Sequence, residues 1–471
     1  MNLRKKLNTL PVCAGLDGSQ NVDIRAQNTG HAQNVDIRAQ NSAHAQNTGR
    51  AQNRACLLVC LLVVAAFSIF SCSHSDGTVL IWTDRPEFTE YAELYNSTHS
   101  DFKIVIHYRK NIAQSMPPLQ DEQKPDIIVG EGFTEAQVEK YFLPLDFLFS
   151  DSYIAKEQFY PQLLDSGFLS GKQYLLPVSF NVPLVIFSET NEKLIPDPYI
   201  IDIDQIRDIS AGFNKTNKSG AYTSMGFAPG WNPDFLYAAT KLQNAGFTME
   251  ADNFTWNAQA LAESIKYLRS WTEEKNTSTT AEQDYKYKYL YTTETKWITE
   301  GHCTFAFSTS DAVFRMDDEI QSGLDFRWLS ANGEIPLEDI ILYIGIYKES
   351  KKVKDAQKFL VWFMQEKNQK EMLEWSRNMN LTIKDFGIAG GFSSVRNVNE
   401  LYFPIYYPLL LGNLPPKNSL RANSHILPER WSSLKEKVIL PYLTDAVDTK
   451  KTETQDSSLE NLYAIWRRQY Y

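Results

Sequence analysis

Two α/β lobes joined by more than one chain crossing are the fold class this sequence predicts, on three observations. Short β-rich runs alternate with helical patterns over roughly the last four hundred of 471 residues, the alternation that builds a parallel sheet covered on both faces. The run GKQYLLPVSFNVPLVIFSE (171–189) is extended but interrupted by Pro177 and Pro183, neither of which can donate to a ladder, as befits a chain leaving one sheet for another. The length exceeds the ~100 to 200 residues of one usual domain and leaves room for two cores.

The chain opens on a segment that cannot build a core. NVDIRAQNTGHAQ from Asn21 recurs as NVDIRAQNSAHAQ from Asn34, followed by NTGRAQNRA, a polar period of thirteen with no apolar face. Residues 1–55 therefore read as a disordered, repeat-containing leader or as a translated DNA repeat upstream of the real start. Cys56 to Ser71 follow, sixteen residues without a charge, short for a helix crossing a core about 30 Å thick and better read as the apolar core of a signal peptide. Arg50 and Arg54 precede it and the next basic residue is Arg85, a bias that keeps the N-terminal side in the cytoplasm. IFSC places Ile69, Ser71 and Cys72 as in a bacterial lipoprotein signal, with Phe70 larger than usual there. Cys72 is the expected lipidation site and 72–76 the tether, with an uncleaved membrane anchor and ordinary signal cleavage as the alternatives; in each case the body is expected outside the cytoplasm, lipid-anchored to a bacterial membrane in the first.

Charge and cysteine content narrow the function classes. The first 71 residues hold seven of the 47 Lys and Arg and three of the 57 Asp and Glu, leaving 40 basic against 54 acidic residues. A net charge of about minus fourteen does not suit neutralisation of nucleic-acid phosphates. Cys303 is the one cysteine left once the leader is lost and Cys72 lipidated, so stability is expected from packing and not from disulfides.

The elements follow in order. TVLIWT (78–83), FKIVIHY (102–108) and PDIIVG (125–130) read as strands too apolar to be half-solvated. Between the first two, Phe88, Tyr91, Ala92 and Tyr95 recur at helical spacing after Pro86, a residue suited to opening a helix. The proline-broken run places a hinge near Ser179 to Pro183. Beyond it QALAESIKYLRSW aligns Leu261, Ile265 and Leu268 on one helical face, TFAFSTSDAVF reads as strand then helix entry, and DIILYIGIY (339–347) as a strand. A helix or helix pair follows, with Ala356, Phe359, Leu360 and Phe363 on its apolar face.

Together these segments resemble the extracellular solute-binding proteins of ABC importers, the large sugar-binding family that includes maltose-binding protein. The resemblance covers nearly all of residues 76–445. It rests on VLIWTDRPEFTEYAELYN, PDIIVGEG, the run at 171–189, WITEGHCTFAFSTS and YIGIYKESKKVKDAQKFLVWFM, in that order. It implies a periplasmic-binding-protein-like clamp with hinge crossings: 77–183 and 330–375 as lobe 1, 184–329 and 376–471 as lobe 2. It also implies capture of a small molecule, a sugar, by a monomer that docks on an ABC permease in the cytoplasmic membrane. No enzyme activity, cofactor or nucleic-acid partner is implied. The alternatives are an exported glycosidase-like enzyme and a surface-interaction lipoprotein that retains the clamp.

Open α/β sheets put ligands at the carboxyl ends of their strands, which nominates Trp82, Asp84 and Arg85 at the end of the first strand and Glu131 after the third. Phe180 and Asn181 are expected at the cleft floor. Trp231, on the irregular loop GFAPGWNPDFLY, is the expected stacking platform, with Asn232 beside it. Ser308 and Ser310 of STSD could offer hydroxyls, and Tyr343 and Phe392 could line the cleft. Helix capping accounts equally well for Asp84, Asn232 and STSD. His302 beside Cys303 lacks the further ligands of a zinc site, and HExxH, GxSxG and phosphate-cradling glycine loops are absent.

Overall fold

The computed structural model describes residues 77–250, 253–378, 385–423, 425–451 and 457–470. The leader, the signal-peptide core, Cys72 and the tether lie outside the described residues.

Val79 to Trp82 and Ile127 to Val129 are at most 2% exposed, and runs so apolar form strands only where both faces of a sheet are covered. Thr78–Thr83 accordingly lies between Lys103–Tyr108 and Ile127–Gly130, parallel to both. Ile341–Ile346, Leu176–Phe180 and Phe392–Ser393 extend this sheet by successive antiparallel pairings to six strands. Lys103–Tyr108 departs from expectation: it is an edge strand with Val105 and Tyr108 exposed. Its alternation is weak in the sequence because apolar residues occupy the solvent face.

After Pro86 the helix Glu87–Thr98 buries Phe88, Tyr91, Ala92 and Tyr95. It packs on Val353–Phe363, with Phe88 and Phe363 stacked at 5.3 Å and Tyr95 edge-on to Phe359 at 5.4 Å. The expected helix pair is Val353–Phe363 followed by Glu366–Asn378.

A second sheet has the order Ala306–Thr309, Pro183–Ser188, Leu324–Ser330, Ile200–Asp202. Only Asn181 and Val182 separate Leu176–Phe180 of the first sheet from Pro183–Ser188 of the second. Both prolines are accommodated. Pro183 opens its strand, opposite Thr309. Pro177 sits where the ladder to Ile341–Ile346 shifts register between Leu342 and Tyr343, an irregularity at which a missing donor is tolerated. The chain returns between Leu324–Ser330 and Ile341–Ile346, and the two crossings are joined where Glu338 N–H donates to the Asn181 carbonyl at 2.9 Å. Phe392–Ser393 belongs to the first sheet by its pairing with Leu176–Phe180, so the assignment of all of 376–471 to lobe 2 is corrected at this strand. Among the described residues no helix is long and apolar enough to cross a membrane.

Candidate ligand cleft

The strand ends of both sheets meet at one cavity of about 650 Å³, adjoined by a second of about 410 Å³ that shares Glu131, Asp339 and Trp431 with it. From the first sheet, Asp84 and Arg85 follow Thr78–Thr83, and Thr83 Oγ1 accepts from Arg85 N–H at 3.0 Å to fix the turn. Glu131 follows the adjacent strand. The Arg85 guanidinium pairs with the Glu131 carboxylate and stands 3.5 Å from Asp84 Oδ1. Burial raises the carboxyls of both Asp84 and Glu131, opposed by Arg85. Burial acts on Arg85 in the other sense, but Glu131, Asp84 and Glu87 outweigh it and strengthen its hold on the proton.

From the second sheet come Ser308 and Thr309, and beyond them Asp311 and Arg315. Asn232 caps the helix Pro233–Leu242, its Oδ1 accepting from Asp234 N–H at 2.9 Å, while it lines the larger cavity.

Asn181 stands between the sheets. Its Nδ2 donates to Gly390 O at 2.9 Å and its Oδ1 accepts from Ser310 Oγ at 2.7 Å, while Ser310 Oγ accepts from Val182 N–H at 3.1 Å. Three stretches of chain are thus fastened at one amide. Gly391 packs so closely that an added Cβ would lie 2.7 Å from Phe180 O, which excludes any side chain beside the crossing.

The second crossing is anchored at Asp339. Lys241 Nζ approaches it at 2.7 Å, Tyr237 hydroxyl donates at 2.7 Å and Trp431 Nε1 at 2.8 Å. Burial favours the neutral acid, but Lys241 and Lys435 outweigh it and hold the carboxyl well below its ordinary range.

Asp84, Arg85, Glu131, Asn181, Asn232, Ser308 and Tyr343 therefore line the cavities, although Tyr343 is buried and commits its hydroxyl to Ser166 Oγ at 2.8 Å. Ser310 is buried and serves Asn181. Trp82, Phe180, Trp231 and Phe392 are corrected: each is 5% exposed or less and none lines either cavity. Trp82 lies beneath the Arg109 guanidinium, 4.3 Å from its ring centroid. Phe180 packs on Phe392, and Phe392 on Phe386, Phe403 and Trp328. Trp231 is core because its loop is a short 3-10 turn folded inward. Its ring stacks on Tyr285 at 5.9 Å, meets Trp297 edge-on, and its Nε1 donates to Glu282 O at 3.1 Å.

The sequence reading missed the segment 423–440. There Arg430–Leu434 runs into a π-helical turn, Lys435–Ile439, ahead of Leu440–Val447. Pro441 lacks the N–H that would continue the ordinary ladder, and such turns recur at functional sites. Trp431 from the helix and Lys435 and Glu436 from the turn reach the larger cavity. The available signal was Trp431, Leu434 and Val438 at helical spacing, with Lys435 one turn after Trp431.

A two-sheet body with adjacent crossings and a polar cavity at the strand ends is that of a two-lobed binding protein. The chain belongs to the bacterial extracellular solute-binding protein family, whose sequence profile matches residues 82–370. A search of curated proteins finds no match. Among solved structures, the sugar-binding protein MalE from Xanthomonas citri aligns with a TM-score of 0.60 at 12% identity, over 83% of this chain and 98% of its own. An ABC substrate-binding protein of Listeria monocytogenes in complex with cycloalternan aligns at 0.52 and 14%, over 83% and 98%. CpMnBP1 with mannotriose bound aligns at 0.53 and 15%, over 82% and 99%. At these identities the likeness establishes the fold.

Proposed function

We propose that this protein captures a carbohydrate between its two lobes and delivers it to an ABC permease, held outside the cytoplasm by a lipid on Cys72. The observation that carries the reading is the cavity of about 650 Å³ at the strand ends of both sheets, lined by amides, hydroxyls and charged groups. That size lies within the ~300 to 1,000 Å³ of small-ligand sites, and such groups are the partners that sugar hydroxyls require. Proteins of the same fold hold mannotriose and cycloalternan. Closure would hinge near Ser179 to Pro183, where the Asn181 carbonyl accepts from Glu338 N–H and ties the crossings together, and would give a binding cycle with no covalent step.

A saccharide library in a thermal-shift screen tests the reading, with small-angle scattering on any hit. A ligand at a hundred times its dissociation constant should add roughly 2.7 kcal/mol to native stability, and saturation should shrink the particle. Hydrolysis of the bound saccharide would establish the glycosidase reading instead. Binding of a protein partner, with no saccharide bound, would favour the surface-interaction lipoprotein.

A further inference from the structure

The larger cavity holds more acid than its own bases can balance. Its cations are already engaged. Arg85 is paired with Glu131 and Asp84, Arg315 with Asp311 at 3.0 Å, and Lys435 with Asp234 at 3.0 Å. Four further carboxylates line the same space, those of Glu87, Glu338, Asp385 and Glu436, with no ion pair of their own among the described residues: Glu87 shares Arg85, Glu338 shares Lys435 and Lys241, and Asp385 shares Arg315 with carboxylates already paired to them. Glu87 Oε2 is wholly buried and accepts no hydrogen bond.

Carboxylates removed from water without a counter-charge are costly, and this crowding registers on the groups themselves. Burial, with Asp385 and Glu90 adding to it, pushes the Glu87 carboxyl above its ordinary value against its own backbone N–H and Arg85. Burial does the same to Glu338, opposed by Lys435 and Lys241 and reinforced by Asp339 and Asp234. The cavity itself is defined by the strand ends of two sheets and not by its acid content.

We propose that the ligand of this cleft carries a protonated amine on a polyhydroxylated frame, an amino sugar and not a neutral one. The inference rests on the capture reading and names the ligand class of the same site. An ammonium would supply positive charge that Glu87, Glu338, Asp385 and Glu436 now have only in part, shared with other carboxylates, through charge-assisted hydrogen bonds about twice as strong as neutral ones. Ser308, Thr309 and Asn232 would take the hydroxyls of the frame. A neutral sugar would bury the four carboxylates more deeply and leave the excess of acid over base unbalanced.

Calorimetry near pH 6, below the ~8 at which an activated amine loses its proton, decides the matter with four probes. These are a glucosamine tetramer, the N-acetylglucosamine tetramer, a glucose tetramer and spermidine. The glucosamine tetramer should bind at least about tenfold more tightly than its acetylated counterpart. Glu87→Gln should narrow that gap, and Glu338→Gln serves if the first variant folds poorly. Equal or tighter binding of the neutral tetramers would overturn the amine inference and leave carbohydrate capture standing. Spermidine bound with no saccharide bound would overturn the sugar frame and the capture reading together.

Discussion

Replacing Glu282 by Gln should stabilise the protein at pH 8 and do almost nothing at pH 4.5. Glu282 is 1% exposed, and its carboxylate accepts from Asn276 Nδ2 at 2.8 Å beneath the turn that carries Trp231. Burial raises this carboxyl from 4.5 to about 7, against the hydrogen bonds of Asn276 and Thr272. An acid raised in this way holds its proton more tightly folded than unfolded. Its contribution is therefore at its best below the unfolded value and is lost as pH rises through about 7. At 1.36 kcal/mol per unit the loss complete by pH 8 is on the order of 3 kcal/mol. Gln is isosteric, keeps the acceptor for Asn276 and has no charge to desolvate. With an unfolding entropy of about 2.1 cal/mol/K per residue over roughly 400 residues, the variant should melt about 4 °C higher at pH 8. At pH 4.5 the shift should be below about 1 °C. Differential scanning calorimetry of both proteins at both pH values measures it. An equal shift at the two pH values, or a lower melting temperature for the variant at pH 8, would refute the buried-carboxylate account.

Trp231→Ala should cost about 3 to 5 kcal/mol, as truncation of a core aromatic does, while leaving saccharide affinity within about twofold; an affinity loss without a fall in melting temperature would return the ring to the cleft. Asp339→Ala removes the counter-charge of Lys241 and Lys435 and the acceptor of Trp431 Nε1. Loss of one member of a buried pair costs about 3 to 5 kcal/mol, so a denaturant midpoint unchanged by the substitution would contradict its anchoring role. Cys72→Ser should convert a membrane-bound, lipid-labelled protein to a soluble one, since several acyl chains hold firmly where one alone holds marginally; absence of label on the unmutated protein would end the lipoprotein reading.

What could be read from the sequence follows from how far each signal reaches along the chain. Thr78–Thr83 and the helix after Pro86 are legible because burial on two faces and helical spacing are written in consecutive residues. Pro177 and Pro183 likewise mark the passage between sheets, since a residue that cannot donate must stand where a donor is not needed. Asp84, Arg85 and Glu131 are nominated by the same logic and line the cavities, because the end of a parallel strand is a local feature with a fixed relation to the space beyond it. Trp231 failed on a different ground. An irregular loop can turn its ring toward solvent or fold inward, and only the distant Tyr285, Trp297 and Glu282 decide which. The same limit hid Trp431, whose place is set by Asp339, 92 residues away. Local periodicity announces that Trp431 is helical and apolar but not that its indole N–H answers a carboxylate at the second crossing. Since Asp339 also holds Lys241, the C-terminal segment and the helix Pro233–Leu242 converge on the chain that joins the two sheets. A ligand that displaces Trp431 or Lys435 would therefore act on the crossing itself. On the proposed binding cycle, that coupling would give the segment a part in closure as well as in lining the cleft.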